Sequence, residues 1–170
     1  MNIVAVLVMA SALRTAGRQV SQTVVVENGV TVVITISNDR SGRTWINATF
    51  TPDEPGFHLY SKDLPKQGIR GVGRPTLLEV VPTVIVKPDG PLVANRRVVR
   101  LKATTLEQDL PVYPDGAVTL RLPVRVQVVQ ADSATTLEAA ISYMACSKTL
   151  CLPAVDARHI ALAIPRDVRR

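Results

Sequence analysis

Residues that carry the familiar protein chemistries are scarce in this 170-residue chain, which has two cysteines, two histidines, one tryptophan and two phenylalanines. With so few aromatic rings for base stacking, and with Lys and Arg scattered through strand-like segments, the formal net charge of +6 does not read as a nucleic-acid footprint. The basic end, Arg166, Asp167, Val168, Arg169 and Arg170, reads instead as a solvated tail. Beyond the first residues, no segment approaches the ~18 to 20 apolar residues that a membrane-spanning helix needs. The histidines, His58 and His159, fall in no recognised zinc spacing. No stretch keeps apolar residues at helical spacing with a capping signal over three turns, and neither an internal repeat nor a low-complexity segment is present.

What the chain does have is β-branched apolar residue, Val above all, within a hydrophobic share of 46%. Alternating or β-branched runs predict strands over residues 20–26, 30–37, 44–51, 77–87, 97–103, 117–129, 136–144 and 159–164, eight or nine in all. Turn signals separate them, among them Glu27-Asn28-Gly29 and Pro114-Asp115-Gly116, and the 12 prolines suit loops and edge strands better than helices. This is the pattern of an all-β sandwich in one domain. Residues 133–141 read as a loop leading into a strand, and 52–75 as the longest irregular connection, a place where function often resides. Residues 1–19 have two readings: a degenerate or truncated export signal, with an apolar run and small residues but no basic start, or a first strand over 3–8. The expected domain is 20–165, with 166–170 as the tail.

The two cysteines, Cys146 and Cys151, have four residues between them in Tyr143-Met144-Ala145-Cys146-Ser147-Lys148-Thr149-Leu150-Cys151-Leu152-Pro153, between two predicted strands. A hairpin there would bring them within disulfide reach. As a staple the bond would be inefficient, since closing a loop of about six residues yields about 2 kcal/mol against about 4.7 for a hundred-residue loop. Three functions from different classes remain open on spacing alone: redox exchange, a binding sandwich with a structural disulfide, and copper or zinc handling through the two thiols.

The cysteine segment, with Tyr143 before it and Leu152-Pro153 after it, resembles the active-site hairpin of the N-terminal periplasmic domain of the thiol:disulfide interchange protein DsbD and its relatives. Two further segments are similar to that family in the same order: Pro55-Gly56-Phe57-His58-Leu59-Tyr60-Ser61, followed by Pro75-Thr76, and Val112-Tyr113-Pro114-Asp115-Gly116 before a strand. Together they span roughly 45–165. The resemblance implies an immunoglobulin-like two-sheet sandwich in the periplasm or another extracytoplasmic space. It also implies a protein-disulfide reductase component that takes electrons from a membrane-embedded thiol reductase and passes them to periplasmic thioredoxin-like proteins. The membrane and thioredoxin-like domains that accompany this module in full-length relatives are not among these 170 residues. No cofactor is expected, because thiol-disulfide exchange needs no second redox centre.

Cys146 and Cys151 are the expected catalytic pair, and the resemblance favours Cys151 as the member that forms the mixed disulfide. Lys148 is placed to favour a thiolate, and Tyr143 and Tyr113 to pack beside the pair and donate hydrogen bonds to it. Phe57, His58 and Tyr60 read as scaffold. Many relatives have two prolines after the second cysteine, where this chain has Pro153-Ala154. The family's cap loop, which carries an aromatic residue and carboxylates, corresponds to 103–108, where Leu106 would shield the pair and Glu107 is the only carboxylate.

Overall fold

A computed structural model describes residues 21–102, 109–127, 135–165 and 168. Both readings of residues 1–19, and the expected cap residues Leu106 and Glu107, lie outside them. The described residues contain thirteen strands and no α-helix: β1 (Ser21–Glu27), β2 (Val30–Asn38), β3 (Thr44–Pro52), β4 (His58–Tyr60), β5 (Leu77–Val80), β6 (Val86–Pro88), β7 (Val93–Ala94), β8 (Val99–Leu101), β9 (Leu110–Tyr113), β10 (Val118–Val126), β11 (Thr136–Tyr143), β12 (Ala145–Cys146) and β13 (Val155–Ala163).

The fold is an immunoglobulin-like sandwich. One layer is an antiparallel sheet in the order β1-β2-β3-β10-β6, with β7 also on the outer edge of β10. The other side consists of a three-stranded sheet, β13-β11-β5, and a four-stranded one, β12-β4-β9-β8, where the sequence led us to expect a single sheet. Strict alternation in β2 and β3 buries Val30, Val32, Ile34 and Ile36 with Ile46, Ala48 and Phe50. They meet Leu78, Leu137, Ile141 and Leu162 from the opposite side in one core. β1 and β2 are joined by Asn28-Gly29 with φ of 48° and 70°, the two-residue left-handed turn that suits a twisted hairpin.

Three departures from the predicted strands have local causes. The run 77–87 is two strands in different sheets, β5 and β6. Pro82, which has no N–H, falls at the break, and the Thr83 hydroxyl accepts the N–H of Val86 at 3.1 Å to turn the chain. The short strands β4 and β12 are wholly buried and β9 is buried at all but Pro111, and β4 lies inside the stretch read as irregular. β13 begins before the predicted 159, at Val155, but with Ala157 at a φ of 48° its first half lacks alternation. Val168, counted above with the solvated tail, is 4% exposed and packs on the main core.

Candidate functional site

Cys146 owes its environment to a change of sheet. β11 ends at Tyr143, the chain crosses at Met144, and β12 then pairs with β4, placing Ala145 against Leu59 and Cys146 against His58. Side chains alternate across a strand. Leu59 and Ala145 accordingly join the main core, whereas Tyr60 and Cys146 turn the other way into a second apolar cluster with Leu64, Leu110 and Val112. Ile69, Val72 and Met144 pack against this cluster, so part of the connection from β4 to β5 adds to the apolar surroundings that hold Cys146.

From Cys146 the chain reverses in a tight hairpin. Ser147 N–H donates to Leu150 O at 2.7 Å and Leu152 N–H to Ala145 O at 2.9 Å. Those are the two hydrogen-bonded pairs on either side, so Cys146 and Cys151 form the narrow pair between them. Their Cα atoms are 4.0 Å apart and they are joined by a disulfide. The Ser147 hydroxyl also accepts the N–H groups of Thr149 and Leu150, at 3.2 and 3.0 Å, which fixes the turn.

The two cysteines have unequal surroundings. Cys146 is 1% exposed, whereas Cys151 is an exposed residue beside Leu150, which is 56% exposed. The buried Tyr60 hydroxyl donates to Cys146 Sγ at 3.3 Å, and burial pushes its pKa up, keeping it a donor. Tyr60 is itself held tightly. Its carbonyl accepts the Thr76 hydroxyl at 2.7 Å, and a Cβ on Gly73, whose φ is 79°, would come within 2.9 Å of its ring. The His58 ring stands edge-on to Tyr60 at 5.6 Å.

The other expected site residues are spread around this centre. Lys148 is exposed at the hairpin turn and lines a groove with His58, Val99, Tyr113 and Asp115. The Tyr113 hydroxyl accepts the N–H of Lys62 at 3.2 Å, so it serves the β4–β5 connection. Tyr143 requires a correction: its hydroxyl donates to Glu27 O at 2.8 Å and its ring packs edge-on to Phe50, which places it in the main core, not at the cysteines. Pro153 is exposed after the hairpin, and Leu152 packs over Gly29 in the β1–β2 turn. Tyr60 and His58, read as scaffold, are the polar side chains set beside Cys146 among the described residues. Their period-two spacing was the available signal that they share a face.

No protein-family model matches this sequence, and no curated protein matches it either. Among solved structures, the N-terminal periplasmic domain of ScsB from Proteus mirabilis superposes with a TM-score of 0.54 at 14% identity, over 85% of this chain and 51% of that one. The two share a fold. This chain therefore spans about half the length of that structure. Lower in likeness are the reduced N-terminal domain of DsbD from Neisseria meningitidis (TM-score 0.44, 14% identity, 91% of this chain and 90% of that one) and the GAE domain of GGA2p from Saccharomyces cerevisiae (TM-score 0.40, 10% identity, 85% and 97%).

Proposed function

We propose that residues 20–165 form an extracytoplasmic thiol-disulfide exchange module that passes electrons from a membrane-embedded thiol reductase to thioredoxin-like proteins through Cys146 and Cys151. The observation that carries this reading is the unequal pair: one cysteine is an exposed residue, and the other is buried with its sulfur accepting from a hydroxyl. The fold likeness to a periplasmic domain supports the location.

The chemistry follows from that asymmetry. A thiolate of the reduced partner attacks Cys151 Sγ, the S–S bond breaks, and its electron pair goes to Cys146 Sγ, which the Tyr60 hydroxyl stabilises as a thiolate. The partner's second thiolate then attacks the mixed disulfide and frees Cys151, so that two electrons have moved and the partner leaves oxidised. Passing them on runs in reverse, with Cys151 attacking the next protein's disulfide and Cys146 resolving the mixed bond.

The test uses single variants. Cys146→Ala should react rapidly through Cys151 with a thiol-reactive disulfide reagent and trap a mixed disulfide with an oxidised thioredoxin-like protein, whereas Cys151→Ala should do neither at a comparable rate. Both should stay folded, because the short loop contributes only about 2 kcal/mol. Equal reactivity, or a wild-type potential below about −300 mV, would return the bond to a structural role.

A further inference from the structure

His58 has no part in the exchange chemistry above, yet it is the residue directly opposite Cys146 in the β4–β12 pairing. Facing residues of an antiparallel pair have Cβ atoms about 4.5–5.5 Å apart on one side of the sheet. The residue is 8% exposed, and its Nε2 is buried with no hydrogen-bond partner among the described residues. A buried polar atom left unpaired is costly, and such an orphan calls for an explanation. The cost falls away if a partner appears in another state of the protein, and opening the disulfide creates one in the Cys146 thiolate.

We infer that His58 changes protonation with the redox state of the pair, being neutral while the disulfide is closed and an imidazolium paired with the Cys146 thiolate once it is open. This rests on the exchange reading. In the closed state burial lowers the His58 pKa, and Asp115 only partly opposes that. The groups that face it are Tyr60 on its own strand, Cys146 on β12, Tyr113 on β9, Asp115 after β9, and Lys148 on the hairpin turn. Of the charged ones, Asp115 favours the imidazolium and Lys148 opposes it. Val99 and Leu101 on β8 and Val112 on β9 add apolar wall, which strengthens any charge pair formed beside it. When two electrons open the bond, one proton from solvent goes to His58 and a second to Cys151, while Cys146 keeps its electron pair as thiolate.

The experiment follows the ring resonances of His58 against pH by NMR, in the disulfide form and after reduction with a phosphine. His159, exposed and hydrogen-bonded to Glu138 on the other sheet, serves as the internal control. The His58 midpoint should rise by about 1–3 pH units on reduction, with that of His159 unmoved. Equal His58 midpoints in the two forms overturn the inference. Cys151→Ala, which leaves Cys146 as a lone thiol without reductant, gives a second readout: adding His58→Gln should raise the pH at which the Cys146 thiolate appears in the ultraviolet, and no change there overturns it as well. Failure to exchange with a thioredoxin-like protein would remove the exchange reading, whereas both titrations report on His58 itself.

Discussion

Replacing Tyr60 with Phe removes one atom from the site, the hydroxyl that donates to Cys146 Sγ at 3.3 Å in a buried setting. The ring that fills the space beside Gly73 is retained, so the packing changes little. A hydrogen bond to a charged group contributes about 1.5–3 kcal/mol and one between neutral groups about 0.5–1.5. The variant loses the weaker bond in the disulfide form and the stronger one in the reduced form, in which Cys146 is a thiolate. The net loss, about 1–2 kcal/mol, falls on the reduced state. For a two-electron couple 30 mV corresponds to about 1.4 kcal/mol, so the midpoint potential should fall by about 20–45 mV, and reduction by dithiothreitol should slow several-fold. Equilibration with glutathione buffers at neutral pH gives the first number and stopped-flow reduction the second. An unchanged or raised potential, with the oxidised form still folded, would refute the assignment of Tyr60 as the donor to the leaving sulfur.

Gly73→Ala forces a side chain into a φ of 79° and against the Tyr60 ring at 2.9 Å; it should cost about 1–3 kcal/mol, seen as an earlier urea midpoint, and an unaltered midpoint would argue against this close approach. Tyr143→Phe should leave the rate of disulfide exchange as it is and cost about 1 kcal/mol of stability through the lost bond to Glu27; slowed exchange would mean that Tyr143 acts on the pair after all. The same variant tests a pH effect. Burial first, then the Glu27 and Asp53 carboxylates, push the Tyr143 hydroxyl up to about 12 in the folded chain, while the unfolded chain ionises near 10. The unfolded state therefore releases its proton first, stability is lost as pH rises from about 10 through about 12, and Tyr143→Phe should flatten that part of the curve.

The strands that could be read from the sequence are those with one wet face. β1, β2, β3 and β10 alternate through most of their length, and alternation is the signal that a half-buried strand leaves in a sequence. β4 and β12, which build the site, are two or three residues long and buried throughout, so they leave no period to detect. The cysteine pair was legible from spacing and resemblance. Its neighbours were not, because Tyr60 and Cys146 are 86 positions apart in the chain and meet only through the β4–β12 pairing. The reading that sets Tyr143 beside the pair rests on its place in the segment that carries the resemblance. Three residues along an extended chain reverse the face, and the structure has Tyr143 and Ala145 in the main core while Met144 and Cys146 face the second cluster.

That reversal sets a rule for which lengths this segment can have as it diverges. Between Tyr143 and Cys146 the chain counts in twos, so inserting or deleting a single residue there would turn the sulfur inward and an apolar anchor outward. Past Cys146 the count relaxes, since residues added at the 148–149 turn would lengthen the hairpin without re-aiming the buried sulfur. Homologous chains should therefore vary in the spacing between the two cysteines while keeping the interval from the core tyrosine to the first cysteine fixed, a signature that can be sought in sequences too distant to align by identity.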